Sequence, residues 1–255
     1  MSLTGKRFIV TGAGSGMGKA TALALIKHGA TVAAIGRSAS IVDIVDDADA
    51  KASERLFPLV GDVSDPATVS RVIPLAVERL GGLDGLIHAA GIAPNAMVDE
   101  MTVEEFDEVF AVNMRGTFLT NQSVFPFLKE RGGRILNFAS PVGVTGMAGK
   151  AHYAASKGAV LAWTRSLARE WGQYEITVNA IAPAIWTPMF ERTRASMGEA
   201  AVTQLDAMLK QKVPIGGSLG TIEDFLPLML FLAGDGSRFL TGQTYVIDGG
   251  ALMMS

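Results

Sequence analysis

Arg7-Phe8-Ile9-Val10-Thr11-Gly12-Ala13-Gly14-Ser15-Gly16-Met17-Gly18 runs from a short β-rich stretch through a glycine-rich turn into a helical pattern that reads to His28. Aromatic and β-branched residues at Phe8–Thr11 favour a strand. Glycines open backbone conformations closed to other residues and let the chain approach a pyrophosphate closely. The helix start behind them offers unpaired N–H donors and the positive end of a dipole. A glycine-rich run alone is often only a turn. With a strand before it and a helix after it, the run reads as a dinucleotide-binding turn. Its candidate contacts are Gly12, Gly14, Ser15, Gly16, Met17 and Gly18.

Outward from this turn, apolar runs alternate with amphipathic stretches along the whole chain. Strands are predicted at Thr31–Ile35, Leu56–Val60, Leu83–His88, Arg134–Ala139, Thr177–Ile181 and Thr244–Ile247. Helices are predicted around Ile41–Ala50, from Pro66 to Leu80, from a Thr102/Glu105 capping box past Asn113 toward Leu128, and across Tyr153. Pro126 is expected to kink or end the third of these. Helical patterns at Glu191–Lys212 and Thr221–Leu232 complete the chain. Buried-type strands alternating with helices predict an α/β fold: a doubly wound parallel sheet of Rossmann type, covered by helices on both faces. No repeat or linker divides the 255 residues, so one domain is expected over 1–255. The segment 186–217 is the one irregular insertion. It reads as a substrate lid or as plain helical packing.

Composition excludes several classes. Cysteine is absent, which removes disulfide and thiolate chemistry. His28, His88 and His152 lie far apart without ligand spacing, so no metal site is expected. Net charge is −3 with no basic run, which argues against nucleic acid. No signal peptide and no 18-residue apolar stretch is present, so the expectation is a cytoplasmic protein without membrane association. A mean hydropathy of +0.31 suits a large core.

At the end of the second predicted strand stands Ile35-Gly36-Arg37-Ser38. A fold that selects NAD usually places a carboxylate there, against the ribose hydroxyls. A guanidinium beside a glycine suits a 2′-phosphate better, so NADP(H) is favoured and NAD(H) stays possible. The alternative is a solvated turn arginine. Asp62-Val63, after the third strand, either flank the adenine or start the turn that leads to Pro66.

Tyr153 and Lys157 are four residues apart, which puts phenol and ammonium on one helix face with Cβ atoms about 6 Å apart. A lysine cation beside a phenol favours the phenolate and is expected to lower its pKa. Ser140 ends a predicted strand just upstream, where its hydroxyl would join the pair. Such a group moves a proton on or off an alcohol oxygen; the bland reading is a surface Tyr and Lys.

Together these residues resemble the short-chain dehydrogenase/reductase family through essentially the whole chain. The pieces run in order: Thr11–Gly18, Asp62-Val63, the Ala90-Gly91 turn, Asn113, Ser140, Tyr153 with Lys157, Asn179 through Pro183, Thr187 and Asp248-Gly249-Gly250. The resemblance implies Tyr153 as acid/base, Lys157 as its modulator and ribose holder, Ser140 on the substrate oxygen and Asn113 in a lysine–water relay. It implies cofactor contacts at Ala90, Gly91, Pro183, Ile185 and Thr187, and a homotetramer or homodimer built on the long helices and the C-terminus, where Ala251–Met254 is apolar. Two departures stand out. His88-Ala89 replaces the family's paired asparagines, and Ala184 replaces a glycine after Pro183. His88 is expected to be structural and bonded to backbone, and His152 to be a rim or packing residue.

The expected reaction is the NAD(P)-dependent interconversion of a secondary alcohol and a ketone. A catalytically silent nucleotide-binding protein is the alternative, and the Tyr–Lys spacing disfavours the enoyl-reductase relatives. Pocket walls are expected at Ile92–Met97, Pro141–Met147 and Trp186–Phe190, with Met197 or Met208 from the lid. Pro94, Val142, Met147, Trp186, Met189 and Phe190 are the named candidates; either they suit an apolar or amphiphilic small molecule, such as a 3-oxoacyl, cyclic or sugar-derived alcohol or ketone, or several of them simply pack the lid. Arg192 and Arg194 are placed near the mouth.

Overall fold

The computed structural model describes residues 2–253. Seven strands form one parallel sheet: β1 (Arg7–Thr11), β2 (Thr31–Gly36), β3 (Leu56–Val60), β4 (Gly85–His88), β5 (Gly133–Phe138), β6 (Ile176–Pro183) and β7 (Thr244–Ile247). Their spatial order is β3-β2-β1-β4-β5-β6-β7. The order reverses between β1 and β4, the switch point at which doubly wound sheets bind ligands beyond their strand ends.

The period-2 alternation of each strand divides the core into two layers. Phe8, Val10, Val32, Ala34, Ile87 and Leu136 face the helices Gly16–Lys27 and Ile222–Ala233. Ile9, Ala33, Ile35, Leu86 and Ile135 face Pro66–Leu80, Gly116–Leu128 and Ala151–Trp171. Both faces of the central strands are dry, which is why they read as continuous apolar runs. Each fully buried Leu, Ile or Phe here contributes roughly 1.5–3 kcal/mol.

Two predicted helices take a different form. Ile41–Ala50 is a 3-10 segment at Ala39–Asp47 followed by a single α-turn at Ala50–Ser53. Its sequence, Ser40-Ile41-Val42-Asp43-Ile44-Val45-Asp46-Asp47, is rich in β-branched and Asp residues, which disfavour a regular helix. The Ser38 side chain starts the turn by accepting from Ser40 N. The helix through Asn113 has the expected Thr102/Glu105 capping box. It is interrupted at Ala111–Arg115 by a π-turn, and Asn113 is its central residue. Pro126 falls in the last turn and the helix ends at Leu128, two residues on. The 186–217 segment contains two helices, Pro188–Ala195 and Glu199–Lys212.

The apolar C-terminus reaches Met254, which lies outside the described residues, as does Met1; Met253 is exposed. Among the described residues no helix is long and apolar enough to cross a membrane, and no cluster of three His, Asp or Glu side chains is arranged to hold a metal.

Candidate active site

The glycine-rich turn is built by backbone meeting backbone. A Cβ on Gly12, whose φ is +66°, would sit 2.7 Å from Ala90 N. One on Gly18 would sit 2.3 Å from the Gly12 carbonyl oxygen. The turn therefore closes only with glycine at these two places. Gly14 differs: a Cβ there would meet nothing within 4 Å, because Gly14 and Ser15 face open space at the start of the Gly16–Lys27 helix. Ser15 occupies the N-cap position without its hydroxyl capping the helix. Side chain and first-turn N–H groups are thus left for a ligand, which is the chemistry a pyrophosphate needs.

A cleft of about 360 Å³ extends from this turn over β1, β2 and β3. Gly12, Gly14, Ser15, Arg37, Ser38, Asp62, Val63, Ala90 and Gly91 line it, together with Ser40, Ile41 and Val112. Arg37 and Ser38 are exposed at its outer end, and no carboxylate stands at the tip of β2. Asp62 is held in an Asx turn, its Oδ1 accepting from Ser64 N at 2.8 Å and Ser64 Oγ at 2.7 Å. Val63 packs so closely on the Asn113 helix that a Cβ on Gly116 would meet its Cγ2 at 2.9 Å.

Gly91 and Ile92 separate this cleft from an inner cavity of about 100 Å³ that they also line, together with Met17, Ala93, Phe138, Ala139, Tyr153, Lys157, Pro183 and Met189 among others. The Ser140 hydroxyl, which accepts from Val142 N at 3.2 Å, stands beside the Tyr153 phenol. Burial raises the phenol pKa and the neighbouring Ser140 hydroxyl partly opposes the rise. The direction is thus opposite to the lowering expected from Lys157, and desolvation is its first cause. Lys157 Nζ lies 5.9 Å from the phenol ring centroid and donates to the Phe138 carbonyl at 2.7 Å. Burial pushes the Lys157 pKa down to about 8.

Asn113 is fully buried and saturated. Its Oδ1 accepts from Ile92 N at 2.9 Å; its Nδ2 donates to Ile92 O at 2.9 Å and Ser156 Oγ at 3.0 Å. A Cβ on Gly91 would meet Asn113 Oδ1 at 3.1 Å and Lys157 Nζ at 3.3 Å. Amide and ammonium thus converge on one glycine, and the π-turn swings Asn113 into that position. On the helix Ala151–Trp171, a Cβ on Gly143 would strike Gly158 N and Lys157 C at 2.8 Å and Lys157 Cβ at 3.0 Å. This contact seats the turn after Ser140 directly on Lys157 and Gly158.

The remaining candidates separate by location. Met189 reaches the inner cavity, whereas Pro94, Val142, Met147, Trp186 and Phe190 do not line it. Trp186 instead donates to Glu191 Oε1 at 2.9 Å and stacks edge-on with Phe190 at 5.0 Å. Arg194 lies over the Trp186 ring and is ion-paired to Asp206 at 2.6 Å. Ile185 is a core residue, 5 % exposed, and bridges to Gly220. Trp186 N and Ala184 O take both bonds to Gly220, so the N–H and C=O of Ile185 point to the other edge. Any ligand contact there is through main chain. Thr187 caps the Pro188–Ala195 helix by accepting from Phe190 N, with its Cβ 4.0 Å from where a Gly16 Cβ would sit.

Both histidines are interior. His88 Nδ1 lies 2.9 Å from Thr120 Oγ1 and 3.1 Å from Thr11 Oγ1, so its partners are hydroxyls and not the expected backbone groups. Burial, then repulsion from Lys157, pushes its pKa down to about 3, so it stays neutral. His152 is buried with neither ring nitrogen bonded, a packing residue and not a rim one. Sequence reading also passed over Lys150, whose ammonium donates to the carbonyls of Ala93 and Pro94. Its only sequence signal was its place three residues before Tyr153.

A family model described as enoyl-(acyl carrier protein) reductase matches residues 12–251. The chain is 38% identical over 256 residues to 3-oxoacyl-(acyl-carrier-protein) reductase FabG of Thermotoga maritima, covering 99% of this chain and 100% of that protein. It is 33% identical to levodione reductase of Leifsonia aquatica, covering 97% of this chain and 94% of the relative. Among solved structures, one described as a short-chain alcohol dehydrogenase from Sinorhizobium meliloti 1021 superposes with a TM-score of 0.90 at 31% identity, covering 98% and 97% of the two chains. A crystal structure of levodione reductase gives 0.86 at 31% identity, with 97% of each covered. With the cleft at the switch point, the Tyr153–Lys157 pair at its inner end and likeness of this extent, the chain belongs to the short-chain dehydrogenase/reductase family and is an oxidoreductase acting on CH–OH donors.

Proposed function

We propose that this enzyme reduces apolar ketones with NADP(H), with Tyr153 as proton donor to the carbonyl oxygen and Ser140 and Lys157 beside it. The observation that carries this reading is the convergence of Tyr153 and Lys157 on one small cavity that shares its Gly91 and Ile92 wall with the glycine-rich cleft. A bound nicotinamide dinucleotide supplies the hydride. The residues present suit it: Gly12, Gly14, Ser15, Gly16, Met17 and Gly18 for the pyrophosphate, Asp62, Val63, Ala90 and Gly91 along the adenosine and ribose, and Pro183, Ile185 and Thr187 toward the nicotinamide.

Burial keeps the Tyr153 phenol protonated at neutral pH, which is the form required of an acid in ketone reduction. The Ser140 hydroxyl steadies the same oxygen as charge develops on it. Lys157 spends one N–H on Phe138 O, which aims the others into the cavity near Asn113. Asn113 acts by holding the Ile92 wall and the Lys157 side of the relay. Selection of NADP(H) over NAD(H) rests on Arg37 with Ser38 at the tip of β2, where no acid repels a phosphate.

The substrate is read as an uncharged, apolar or amphiphilic ketone, because Met17, Ile92, Phe138 and Met189 form the cavity. The lid is the 186–217 segment. Subunit contacts are assigned to the outer face of the helices around Asn113 and Tyr153, where Phe110, Met114, Phe118 and Trp163 line a groove. This fits a homotetramer or homodimer working in the cytoplasm. The test is NADPH and NADH consumption against a panel of cyclic, acyl-chain and steroid-like ketones, with Arg37→Asp run in parallel. Turnover that prefers NADPH, with the preference reduced at least about tenfold in the variant, is the expected result. Tight cofactor binding without turnover on any ketone would instead support the silent nucleotide-binding reading.

A further inference from the structure

The wall of the inner cavity opposite the sheet is an irregular loop, and its backbone is held almost wholly by side chains from elsewhere. Asn113 takes both main-chain groups of Ile92. Lys150, at the N-cap position of the catalytic helix, donates its ammonium to the carbonyls of Ala93 and Pro94, 57 and 56 residues away in the chain. Ala96 N completes the join by donating to Gly149 O at 3.0 Å. Ile92 and Ala93 line the cavity itself. Lys150 has no ion-pair partner among the described residues. Its amine is half withdrawn from solvent at a cost that lowers its pKa. An ammonium directed into two backbone carbonyls of a distant loop performs a positional task.

We infer that Lys150 is a positioning and specificity-determining residue: it pins the Ile92–Pro94 wall to the catalytic helix and so sets how bulky a carbonyl compound can reach Tyr153. Asn113 fixes the cofactor-side end of the wall and Lys150 the substrate-side end. Removing Lys150 frees the substrate end alone, without touching the glycine-rich cleft. The inference rests on Tyr153 lying at the reacting centre, and the measurements below separate the two.

Lys150→Met keeps the aliphatic stem and removes the donor; Lys150→Arg restores donors. Steady-state kinetics with a compact and a bulky apolar ketone, cofactor dissociation constants and hydrogen–deuterium exchange are compared across the three proteins. For Lys150→Met, KM for the compact ketone is expected to rise roughly tenfold with a smaller change in kcat. The ratio of kcat/KM for bulky over compact ketone should rise by a similar factor, with cofactor affinity unchanged and Lys150→Arg returning toward wild type. Faster exchange confined to 92–97 and 149–150 supports the inference even if no ketone in the set is turned over. An unaltered ketone ratio, or exchange spread evenly over the chain, would overturn it; so would an Arg variant no better than Met. Failure of the Tyr153 reading would show separately, as turnover that survives Tyr153→Phe.

Discussion

The glycine-rich turn and the 186–217 segment lie against each other, Gly16 facing Thr187 and Pro188, yet they are built by opposite means. In the turn, main chain packs on main chain: Gly12 against Ala90, Gly18 against Gly12. The helices Pro188–Ala195 and Glu199–Lys212 have no fully buried residue. They are held at their roots by the Ile185–Gly220 bridge and by contacts within the segment, such as Arg194–Asp206. A segment with so little buried apolar surface opens at low free-energy cost. Under the proposed function, the end that would grip a constant ligand group is made of backbone, which cannot adapt. The end that would meet the variable ligand is made of exposed side chains, which can.

The sharpest test of this contrast falls where the two regions meet. Tyr153→Phe is expected to cut turnover at least about a hundredfold, the lower end for general acid–base catalysis, while leaving cofactor affinity intact. Stopped-flow and steady-state assays check it, and near-native turnover would remove the role. In the turn, Gly18→Ala drives a methyl into the Gly12 carbonyl. Overpacking of this kind costs about 1–3 kcal/mol, and calorimetry should show Tm falling about 2–4 °C per kcal/mol, with cofactor binding weakened for every substrate alike.

A pH profile addresses the pair between the two ends. The reductive form needs Tyr153 protonated and Lys157 charged. Burial raises the phenol pKa, so the phenol stays protonated above neutrality. The Lys157 pKa is depressed to about 8, so its charge is lost as pH rises through that value. Reductive kcat/KM should therefore be level below about pH 8 and fall roughly tenfold per unit above it. A decline centred near pH 10 would show that Lys157 is not desolvated in this way.

The smallest effect belongs to the 186–217 segment. Met189→Ala should change kcat/KM for apolar ketones by about threefold, in a direction that depends on substrate size. As Met189 is 44% exposed, stability should change by no more than about 0.5 kcal/mol, read by calorimetry. A stability loss matching Gly18→Ala would erase the distinction between the two regions.

Much of this architecture was legible in the residues because the signals are local. Strand after strand reads as a short apolar run, since both faces of the sheet are dry. The glycine turn is bracketed by a strand and a helix, and Tyr153 and Lys157 share a face by helical periodicity alone. Less legible was the Ala39–Asp47 segment, where an amphipathic pattern competed with poor helix formers. The π-turn at Asn113 was invisible, because a one-residue bulge leaves no mark on a sequence pattern. Trp186 and Phe190 left two readings open, pocket wall or packing, for another reason: both are apolar and near the site, and only packing decides that they face each other and Arg194.

From sequence alone came the sheet, the glycine-rich turn, the Tyr153–Lys157 pairing and the family resemblance, since each is set by short-range spacing or backbone sterics. Only the tertiary structure decided the direction of the Tyr153 shift, the hydroxyl partners of His88, the saturation of Asn113 and the Lys150 clamp on Ala93 and Pro94. Each of these depends on burial or on partners tens of residues away. Desolvation and long-range hydrogen bonds are properties of the assembled interior, and no window of sequence contains them.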